Sequence, residues 1–519
     1  MRAGTRPAIP QSLAASEPEV DTQVLECDPL CFAADTGGRR RPSASLTACA
    51  LLIGLTWAGA GLAQESVTAT TLPAPIKRVL AAYGLSDKGL SIYVRELGAE
   101  QSLLEFNADV PRNPASTQKL LTTFAALELL GPAHTWHTDV YALGTRSDDR
   151  LDGDLLVKGY GDPSLTTERV WLLMHGVMRK GIKQVSGDLV LDDSYFALEP
   201  EDPGGFDGQR YRTYNALPYA LLTNFNAVDF IFRSDSAGRV VIRTDPVLPN
   251  LSIDNKVQLS PGQCRGTVDI AMRAENDGQK ETVSFSGSMP KACGEYYFAR
   301  SVMDPPAFSY GVLRGVWEGM GGEIAGGMRI GVVPHGARPV YSIESQPLVE
   351  VVRTINKYSN NVMARQLLIA IGADRFGAPG TEAKGIAAVR EWLTKREIDM
   401  PELVLENGAG LSRETRISAH SMAKLLIAAH GSPYEAELIA SMPLSAMDGT
   451  LRRRFTEAGM AGRLHLKTGR LDDVSGLAGY VLAPNGKRYV LVSLHNDRGV
   501  DLGAGSAVQN ALVRWVFAQ

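Results

Sequence analysis

The chain has 519 residues, more than one ordinary hydrophobic core can organise, so its length predicts two or more domains. Hydrophobic residues make up 44% of it and charged residues 21%, as in soluble globular proteins. The formal net charge of −4 at pH 7 provides no basic surface, so we expect no nucleic-acid partner.

Residues 1–63 have the order of segments found in a secretory signal. A basic run, 39–41, precedes an apolar stretch, 46–57, and small residues then continue to Ala63. We therefore expect cleavage after Ala63 and a periplasmic mature protein. The apolar stretch is shorter than the roughly 20 residues that span a bilayer, so no stable membrane anchor is expected. The polar residues 1–38 are interpreted as the result of a start codon assigned too far upstream, or as a disordered extension.

The first segment of the mature chain, residues 64–140, combines predicted helices with a strand. Residues 73–83 follow a helical period, and residues 90–94 alternate as a strand does. A second helix is predicted after Pro114, because apolar residues recur at helical spacing until a Gly-Pro pair ends it. Ser116 would then lie at a helix N-terminus, where backbone N–H groups favour a developing negative charge.

The run Ser-Thr-Gln-Lys at 116–119 places a hydroxyl and an amine one helical turn apart. Lysine acts as a base only after losing its proton, and burial or a nearby cation lowers its pKa. The pattern predicts Ser116 as a nucleophile and Lys119 as the base that activates it. Two other Ser-x-x-Lys runs are weaker candidates. Proline interrupts the run at 288–291, and a helix cap explains the run at 421–424 equally well.

Residues 141–335 have a different character, with short β-branched runs separated by turn residues. They predict a β-rich insertion of one or two subdomains. Cleavage after Ala63 would leave only Cys264 and Cys293, and two cysteines in a secreted chain predict a disulfide. Two free, buried thiols are the alternative.

Residues 336–519 return to helical periodicity and end in three predicted strands and an amphipathic helix, at 463–467, 478–482, 489–494 and 508–516. The run Ser-Asn-Asn at 359–361 lies in this segment. Because one residue separates them, Ser359 and Asn361 can both face a cleft. Ser359 is predicted to pass a proton to a leaving nitrogen, and Asn361 to bind a substrate amide. A solvated loop is the alternative interpretation.

The run Lys-Thr-Gly at 467–469 ends an alternating strand. Lys467 would supply positive charge, and Thr468 a hydroxyl, for a substrate carboxylate. Gly469 would let the strand backbone approach the ligand closely. We expect the backbone N–H groups of Arg470 and Ser116 to bind an oxyanion.

Rival chemistries have weaker support in the sequence. His134 and His137 have a spacing seen in metal sites, but no nearby carboxylates or cysteines complete one. No Gly-x-Ser-x-Gly elbow surrounds Ser116, and no glycine-rich phosphate loop is present. We therefore predict neither a metal nor a cofactor.

The runs at 116–119, 359–361 and 467–469, in this order, resemble the motifs of serine acyl-transferases that include penicillin-binding proteins and serine β-lactamases. The chain is further similar to the secreted low-molecular-weight (class C) penicillin-binding proteins of the D-alanyl-D-alanine carboxypeptidase/endopeptidase family. Pro-Ala-Ser-Thr-Gln-Lys at 114–119 is typical of that family, and so is the 242-residue stretch from 117 to 358. Further segments resemble it at 161–165, 408–413 and 448–451.

The resemblance implies an α/β (α+β) transpeptidase/β-lactamase-like domain, formed by residues 64–140 and 336–519, with an antiparallel sheet flanked by helices. Residues 141–335 would form the large β-rich insertion, which we expect to position the protein on peptidoglycan or a partner. Peptidoglycan stem peptides are the implied substrates, attacked through an acyl-enzyme on Ser116. β-Lactam antibiotics are the implied inhibitors.

Two departures from the family pattern stand out. Asn407 and Ala409 replace the usual Asp and Ser of Asp-Gly-Ser-Gly-Leu-Ser, and Arg470 stands where a small hydroxyl residue often follows Lys-Thr-Gly. We expect Arg470, at the rim of the carboxylate site, to alter substrate preference or the rate of deacylation. The sequence leaves the effect of Asn407 and Ala409 on efficiency open. A β-lactamase or esterase, and a catalytically decayed peptidoglycan-binding module, are the alternative functions. The sequence leaves the oligomeric state open.

Overall fold

The computed structural model describes residues 68–264, 268–276 and 281–519. The expected signal segment at 1–63 lies outside these residues. Among the residues described, no helix has the length and apolar character needed to cross a bilayer.

The described chain alternates between helical and strand segments. Its helices are α1 (Ala74–Tyr83), α2 (Lys119–Leu130), α3 (Thr167–Arg179), α4 (Pro305–Gly319), α5 (Leu348–Tyr358), α6 (Asn361–Phe376), α7 (Glu382–Lys395), α8 (Ala419–His430), α9 (Glu435–Ser441) and α10 (Ala504–Phe517). Its strands are β1 (Leu90–Glu96), β2 (Leu104–Phe106), β3 (His137–Ser147), β4 (Arg150–Gly159), β5 (Gln184–Val185), β6 (Leu189–Asp192), β7 (Val228–Ser234), β8 (Val240–Asp245), β9 (Leu251–Ser260), β10 (Asp269–Asn276), β11 (Glu281–Pro290), β12 (Glu295–Arg300), β13 (Glu323–Ile324), β14 (Met328–Ile330), β15 (Tyr341–Glu344), β16 (Leu464–Leu471), β17 (Val474–Leu482) and β18 (Arg488–Asn496).

An antiparallel sheet of five strands, in the order β16-β17-β18-β1-β2, joins the two ends of the described chain. Successive residues of a strand face opposite sides, so β1 contributes to two cores. Ile92 and Val94 pack with α1 and α10, whereas Tyr93 belongs to the core that α2 and α8 share. This arrangement confirms the predicted antiparallel sheet flanked by helices and the three predicted strands near the end of the chain.

A mixed sheet of seven strands occupies the middle of the sequence. Its path runs β13-β5-β4-β3-β15, and β6 pairs with both β4 and β14. Two smaller sheets, β12-β7-β8 and β10-β11-β9, belong to the same region. Because β3 begins at His137 and pairs with β15, which ends at Glu344, strand pairing extends beyond the predicted limits of 141 and 335. The domain boundaries themselves stay a prediction.

Two helices, α3 and α4, also lie in this β-rich region, where the sequence pattern predicts strands. Glycine is a poor helix former, and α4 contains Gly311 and Gly315. Packing requires a small residue there, because a Cβ atom on Gly315 would lie 2.3 Å from the carbonyl oxygen of Val247. Tertiary contact therefore outweighs local propensity in this helix.

Cys264 and Cys293 form a disulfide, with their sulfur atoms 2.24 Å apart. The bond joins the residue stretch after β9 to the short turn after β11, and it closes a loop with a sequence separation of 29. Neither cysteine lies in an element of the five-stranded sheet.

Replacing both cysteines by serine is expected to lower the free energy of unfolding by about 3–4 kcal/mol, because the closed loop restricts the unfolded chain. Thermal unfolding of the wild type, with and without reductant, and of the double variant measures this loss. A midpoint that responds neither to the reductant nor to the substitutions contradicts the prediction.

Candidate active site

Ser116 lies on a short 3₁₀ turn, Ala115–Gln118, that leads directly into α2. The sequence predicts a helix N-terminus here, and the structure adds this tighter turn before the α-helix. Ala115 has a φ of 46°, a left-handed value that costs a residue other than glycine about 1–3 kcal/mol. Its N–H group donates a hydrogen bond of 2.9 Å to Oδ1 of Asn113, which helps to hold the strained turn.

Asn113 is itself fixed to two distant parts of the chain. Its N–H group donates to Oδ1 of Asn496 at 2.7 Å, and Nδ2 of Asn496 donates back to the carbonyl oxygen of Asn113 at 3.0 Å. Its own Nδ2 donates to the carbonyl oxygen of Ser412 at 2.7 Å. Sequence patterns point to neither asparagine as a site residue. Asn113 precedes a proline, which indicates only a turn, and Asn496 lies 383 positions away at the end of a strand.

Two glycines bring the five-stranded sheet into contact with the Ser116 turn. A Cβ atom on Gly469 would lie 2.7 Å from the carbonyl oxygen of Pro114 and 3.0 Å from the nitrogen of Ser116. A Cβ atom on Gly476, which pairs with Gly469 across β16 and β17, would lie 2.8 Å from the same carbonyl oxygen. A side chain at either position would displace the turn. Position 469 therefore needs a glycine because the backbone of residues 114–116 packs directly against it.

Lys119 is fully buried, and its Nζ lies 2.9 Å from Oγ of Ser116. Nζ also donates to Oδ1 of Asn361 at 2.6 Å and to the carbonyl oxygen of Ala409 at 2.7 Å. Burial, and secondarily the charge of Lys467, holds the pKa of Lys119 well below its usual value. A neutral amine has two N–H bonds and one lone pair. The two acceptor oxygens take the N–H bonds, which leaves the lone pair for the hydroxyl of Ser116.

The side-chain amide of Asn361 is oriented by a residue from the middle of the chain. Its Nδ2 donates to the carbonyl oxygen of Tyr214 at 3.0 Å, so that Oδ1 faces Lys119. Tyr214 lies within the predicted insertion, for which the sequence indicates no chemistry. A backbone carbonyl leaves no signature in a sequence, so pattern analysis could not find this contact.

Ala409 presents its carbonyl oxygen to Lys119 from a loop that Asn407 shapes. Oδ1 of Asn407 accepts from the N–H of Ala409 at 3.1 Å, and Nδ2 donates to the carbonyl oxygen of Leu411 at 2.7 Å. The usual aspartate could accept the first bond but could not donate the second. The departure at Asn407 therefore adds a hydrogen bond within the loop.

Ser359 connects α5 to α6. Its φ of 58° is a left-handed value, as at Ala115, and neither residue is a glycine. Its Oγ accepts a hydrogen bond of 2.8 Å from Nζ of Lys467. Lys467 is fully buried, and this burial lowers its pKa to about 7. Lys467 can therefore gain or lose a proton near neutral pH beside the hydroxyl of Ser359.

Thr468 contacts the family-like segment at 448–451. Its Oγ1 donates to Oγ1 of Thr450 at 2.8 Å. Asp448 anchors that segment, because its carboxylate accepts from Nζ of the nearly buried Lys357 at 2.7 Å. The segment thus supports the strand that carries Lys-Thr-Gly.

Among the described residues, only part of the outer edge of β16 is covered by other segments. The N–H of Ser445 donates to the carbonyl oxygen of Leu464, and the N–H of Leu466 donates to the carbonyl oxygen of Pro443. Backbone groups of alternate residues point the same way in a strand, so the N–H of Arg470 points outward at the uncovered end. This direction is consistent with the prediction that the backbone N–H of Arg470 binds an oxyanion. That role stays a prediction. The Arg470 side chain is exposed.

The residues proposed by rival patterns have structural contacts instead. In the run at 421–424, the N–H of Ser421 donates to Oγ of Ser418, which caps α8. His134 packs edge-on against Trp136, and His137 lies over Tyr160 with ring centroids 3.9 Å apart. The structure therefore brings Ser116, Lys119 and Asn361 into one network and joins Ser359 to Lys467 in a second; it places Thr468, Gly469 and Arg470 on β16.

Substituting Gly476→Ala is expected to lower the rate of Ser116 acylation about 100-fold. The added methyl group would displace the turn that carries Ser116 and so misplace the nucleophile. The rate is measured with a fluorescent penicillin. Gly327→Ala is the matched control, since a Cβ atom there meets nothing within 4 Å. A rate in the Gly476 variant equal to that of the control contradicts the predicted contact.

The buried Lys467 predicts a stability that depends on pH. In the unfolded chain lysine keeps its proton up to about pH 10.4, whereas the folded pKa is about 7. Between these values the unfolded state binds more protons, so this lysine makes folding stability rise by about 1.4 kcal/mol per pH unit. Below pH 7 the contribution is constant.

Comparing wild type with Lys467→Met tests this dependence. The stability of the wild type, relative to the variant, should rise from pH 7 to pH 10. Chemical unfolding at several pH values in this window gives both free energies. Parallel curves for the two proteins would show that Lys467 keeps its proton in the folded state.

The comparisons with known proteins agree on one family. The model of the family described as D-Ala-D-Ala carboxypeptidase 3 (S13) matches residues 72–519. A D-alanyl-D-alanine carboxypeptidase of Actinomadura sp. (strain R39) is 28% identical over 510 residues, which cover 92% of this chain and 90% of that protein. The D-alanyl-D-alanine carboxypeptidase DacB of Haemophilus influenzae is 24% identical over 411 residues, 78% of this chain and 84% of that protein.

Solved structures show the same fold. The crystal structure of penicillin binding protein 4 (dacB) from Haemophilus influenzae matches with a TM-score of 0.70 at 22% identity, covering 85% of this chain and 99% of that one. The same protein complexed with a novel β-lactam matches with a TM-score of 0.67 at 21% identity, with equal coverage. Since the family model spans nearly all of the described residues, the chain belongs to the D-Ala-D-Ala carboxypeptidase 3 (S13) family.

Proposed function

We propose that the protein is a serine-type D-Ala-D-Ala carboxypeptidase, a D,D-endopeptidase or both, and that it cleaves peptidoglycan stem peptides through an acyl-enzyme on Ser116. One observation carries the proposal: Nζ of a fully buried lysine, whose pKa burial holds well below its usual value, lies 2.9 Å from Oγ of Ser116 and donates to Oδ1 of Asn361 and the carbonyl oxygen of Ala409. Membership of the family supports the same activity. The contacts of Asn361 and Ala409 with Lys119 belong to this machinery.

In the first step, Ser116 Oγ attacks the carbonyl carbon of the D-alanyl peptide bond while its proton passes to Nζ of Lys119. The negative charge on the carbonyl oxygen is stabilised by the backbone N–H groups of Ser116 and Arg470. The C–N bond then breaks, and the leaving nitrogen takes a proton from Ser359, which Lys467 replenishes. In the second step water attacks the ester carbonyl carbon and gives one proton, through Ser359, back to Lys467. As the bond to Oγ of Ser116 breaks, that oxygen takes the proton held by Lys119, so the hydroxyl and both lysines return to their starting states.

The substrate's terminal carboxylate would bind beside Lys467 and Thr468. A carboxylate favours the charged form of a nearby amine, so its arrival raises the pKa of Lys467 above the value of about 7 in the free protein. The protonated lysine then pairs with the ligand. The uncovered end of β16 can pair with the substrate backbone as an added strand.

β-Lactam antibiotics would acylate the same serine, because their strained amide and carboxylate present the same two groups. A β-lactam complex is known for the Haemophilus influenzae protein. The signal-like segment at 39–63 supports export and a periplasmic site of action. We further propose that residues 141–335 form an insertion that reaches the active site through Tyr214.

Incubation with benzylpenicillin, followed by trypsin digestion and mass spectrometry, tests the nucleophile. Trypsin cuts after Arg112 and Lys119, so Ser116 lies in the peptide 113–119. We expect a stable penicilloyl adduct on that peptide in the wild type. Ser116→Ala should show no adduct and an unchanged unfolding midpoint.

Each other outcome identifies a different function. An unmodified peptide with hydrolysed antibiotic indicates a β-lactamase, and an unmodified peptide with intact antibiotic indicates a peptidoglycan-binding module. For the acylated protein, chromatography of digested peptidoglycan separates the two peptidase activities. Carboxypeptidase activity releases D-alanine from pentapeptides, and endopeptidase activity converts cross-linked dimers to monomers.

A further inference from the structure

The helix that begins at Asn361 carries two more polar residues that contact residues 201–219, a stretch of loop with one short turn that we call the wall segment. Arg365 follows Asn361 by four positions and Gln366 by five, so both lie one turn further along α6. Both are almost entirely buried, with exposures of 5% and 0%. Three successive contacts therefore join this helix to the wall segment.

Gln366 binds the wall segment through its backbone. Its Oε1 accepts from the N–H of Tyr219 at 3.1 Å, and its Nε2 donates to the carbonyl oxygen of Tyr219 at 2.7 Å. The amide thus satisfies both backbone groups of one residue. This fixes the end of the wall segment that lies beyond Tyr214.

Arg365 binds the other end. Its Nη1 donates to Oε1 of Glu201 at 3.0 Å, and its Nη2 donates to Oε2 of the same carboxylate. Nη2 also donates to Oε1 of Glu382 on α7 at 3.0 Å. Bidentate ion pairs of this kind are stronger and more directional than single hydrogen bonds. A buried guanidinium needs such partners to compensate for the loss of its hydration.

Internal hydrogen bonds stiffen the wall segment between its two fixed ends. The carboxylate of Asp207 accepts from the hydroxyl of Tyr214 at 2.7 Å, from Nδ2 of Asn215 at 2.8 Å and from the N–H of Gln209 at 2.9 Å. These bonds tie Tyr214 to the rest of the segment. Its carbonyl oxygen is the group that orients the Asn361 amide.

We infer that Arg365 is a positioning residue of the active site: by fixing the wall segment through Glu201, it holds the Tyr214 carbonyl that turns Oδ1 of Asn361 toward Lys119. The inference rests on the proposed function, because Lys119 is the base of that mechanism. Arg365 touches neither the substrate nor the reacting atoms. Its effect passes through Glu201, Tyr214 and Asn361.

The two glutamates on Arg365 provide a matched pair of variants. Glu201 lies in the wall segment and Glu382 does not, although both bind the same guanidinium and their side chains are similarly exposed, at 48% and 36%. Glu201→Gln should reduce the rate of benzylpenicillin acylation about tenfold, since small misplacements at a reacting centre are costly. Glu382→Gln should leave that rate within about twofold of wild type, because the tether to the wall segment remains.

The pH profile separates positioning from a general loss of stability. When Asn361 is no longer oriented, Lys119 loses an acceptor that favours its charged form, and its pKa falls further. The acid limb of the acylation profile should therefore move to lower pH in Glu201→Gln and stay in place in Glu382→Gln. Unfolding midpoints of both variants show whether the fold is equally intact.

Limited trypsin digestion tests the tether without using activity. Arg210 and Arg212 lie in the wall segment, and cleavage after them should be faster in Glu201→Gln than in Glu382→Gln. Equal acylation rates, equal pH profiles and equal cleavage in the two variants would overturn the inference. If the wild type is not acylated at all, the proposed function fails, and the cleavage rates still decide whether Arg365 fixes the segment.

Discussion

The site depends on two lysines that are buried close together. Within the part of the chain that the structure describes, no carboxylate binds either amine. A buried ammonium group is costly, so the protein lowers the pKa of each amine. The charge of Lys467 acts on Lys119 but burial acts on both. The fold produces a base from a residue that is ordinarily charged.

Holding that base against its nucleophile requires backbone strain, which the surroundings offset. Ala115 and Ser359 both adopt left-handed conformations next to the reacting groups. The hydrogen bonds from Asn113 to Asn496 and Ser412 hold the turn at Ala115 in place. Because Gly469 and Gly476 have no side chains, the five-stranded sheet packs closely against that turn. The five-stranded sheet and the helical layer meet at this point, so the stability of their packing maintains the geometry of the site.

The sequence predicts the parts of the site whose chemistry is local. Ser116 and Lys119 are three residues apart, Ser359 and Asn361 two, and the strand at Lys467 alternates visibly, so the motifs and most elements near them could be found. Contacts between distant residues could not. Asn496 lies 383 positions from Asn113, and Tyr214 acts through a carbonyl that every residue possesses. Helix α4 was not predictable from propensity, because its glycines serve tertiary packing.

The two lysines also link substrate binding to activation of the nucleophile. On the proposed function, a substrate brings a carboxylate to Lys467 and favours its protonated form. A proton on Lys467 repels a proton on Lys119, which lowers the pKa of Lys119 further. The same binding event that pairs the substrate's charge thus favours the neutral form of Lys119, which is the form that can accept the proton of Ser116. A ligand without a carboxylate would leave Lys467 partly neutral near pH 7, so it would not lower the pKa of Lys119 in this way.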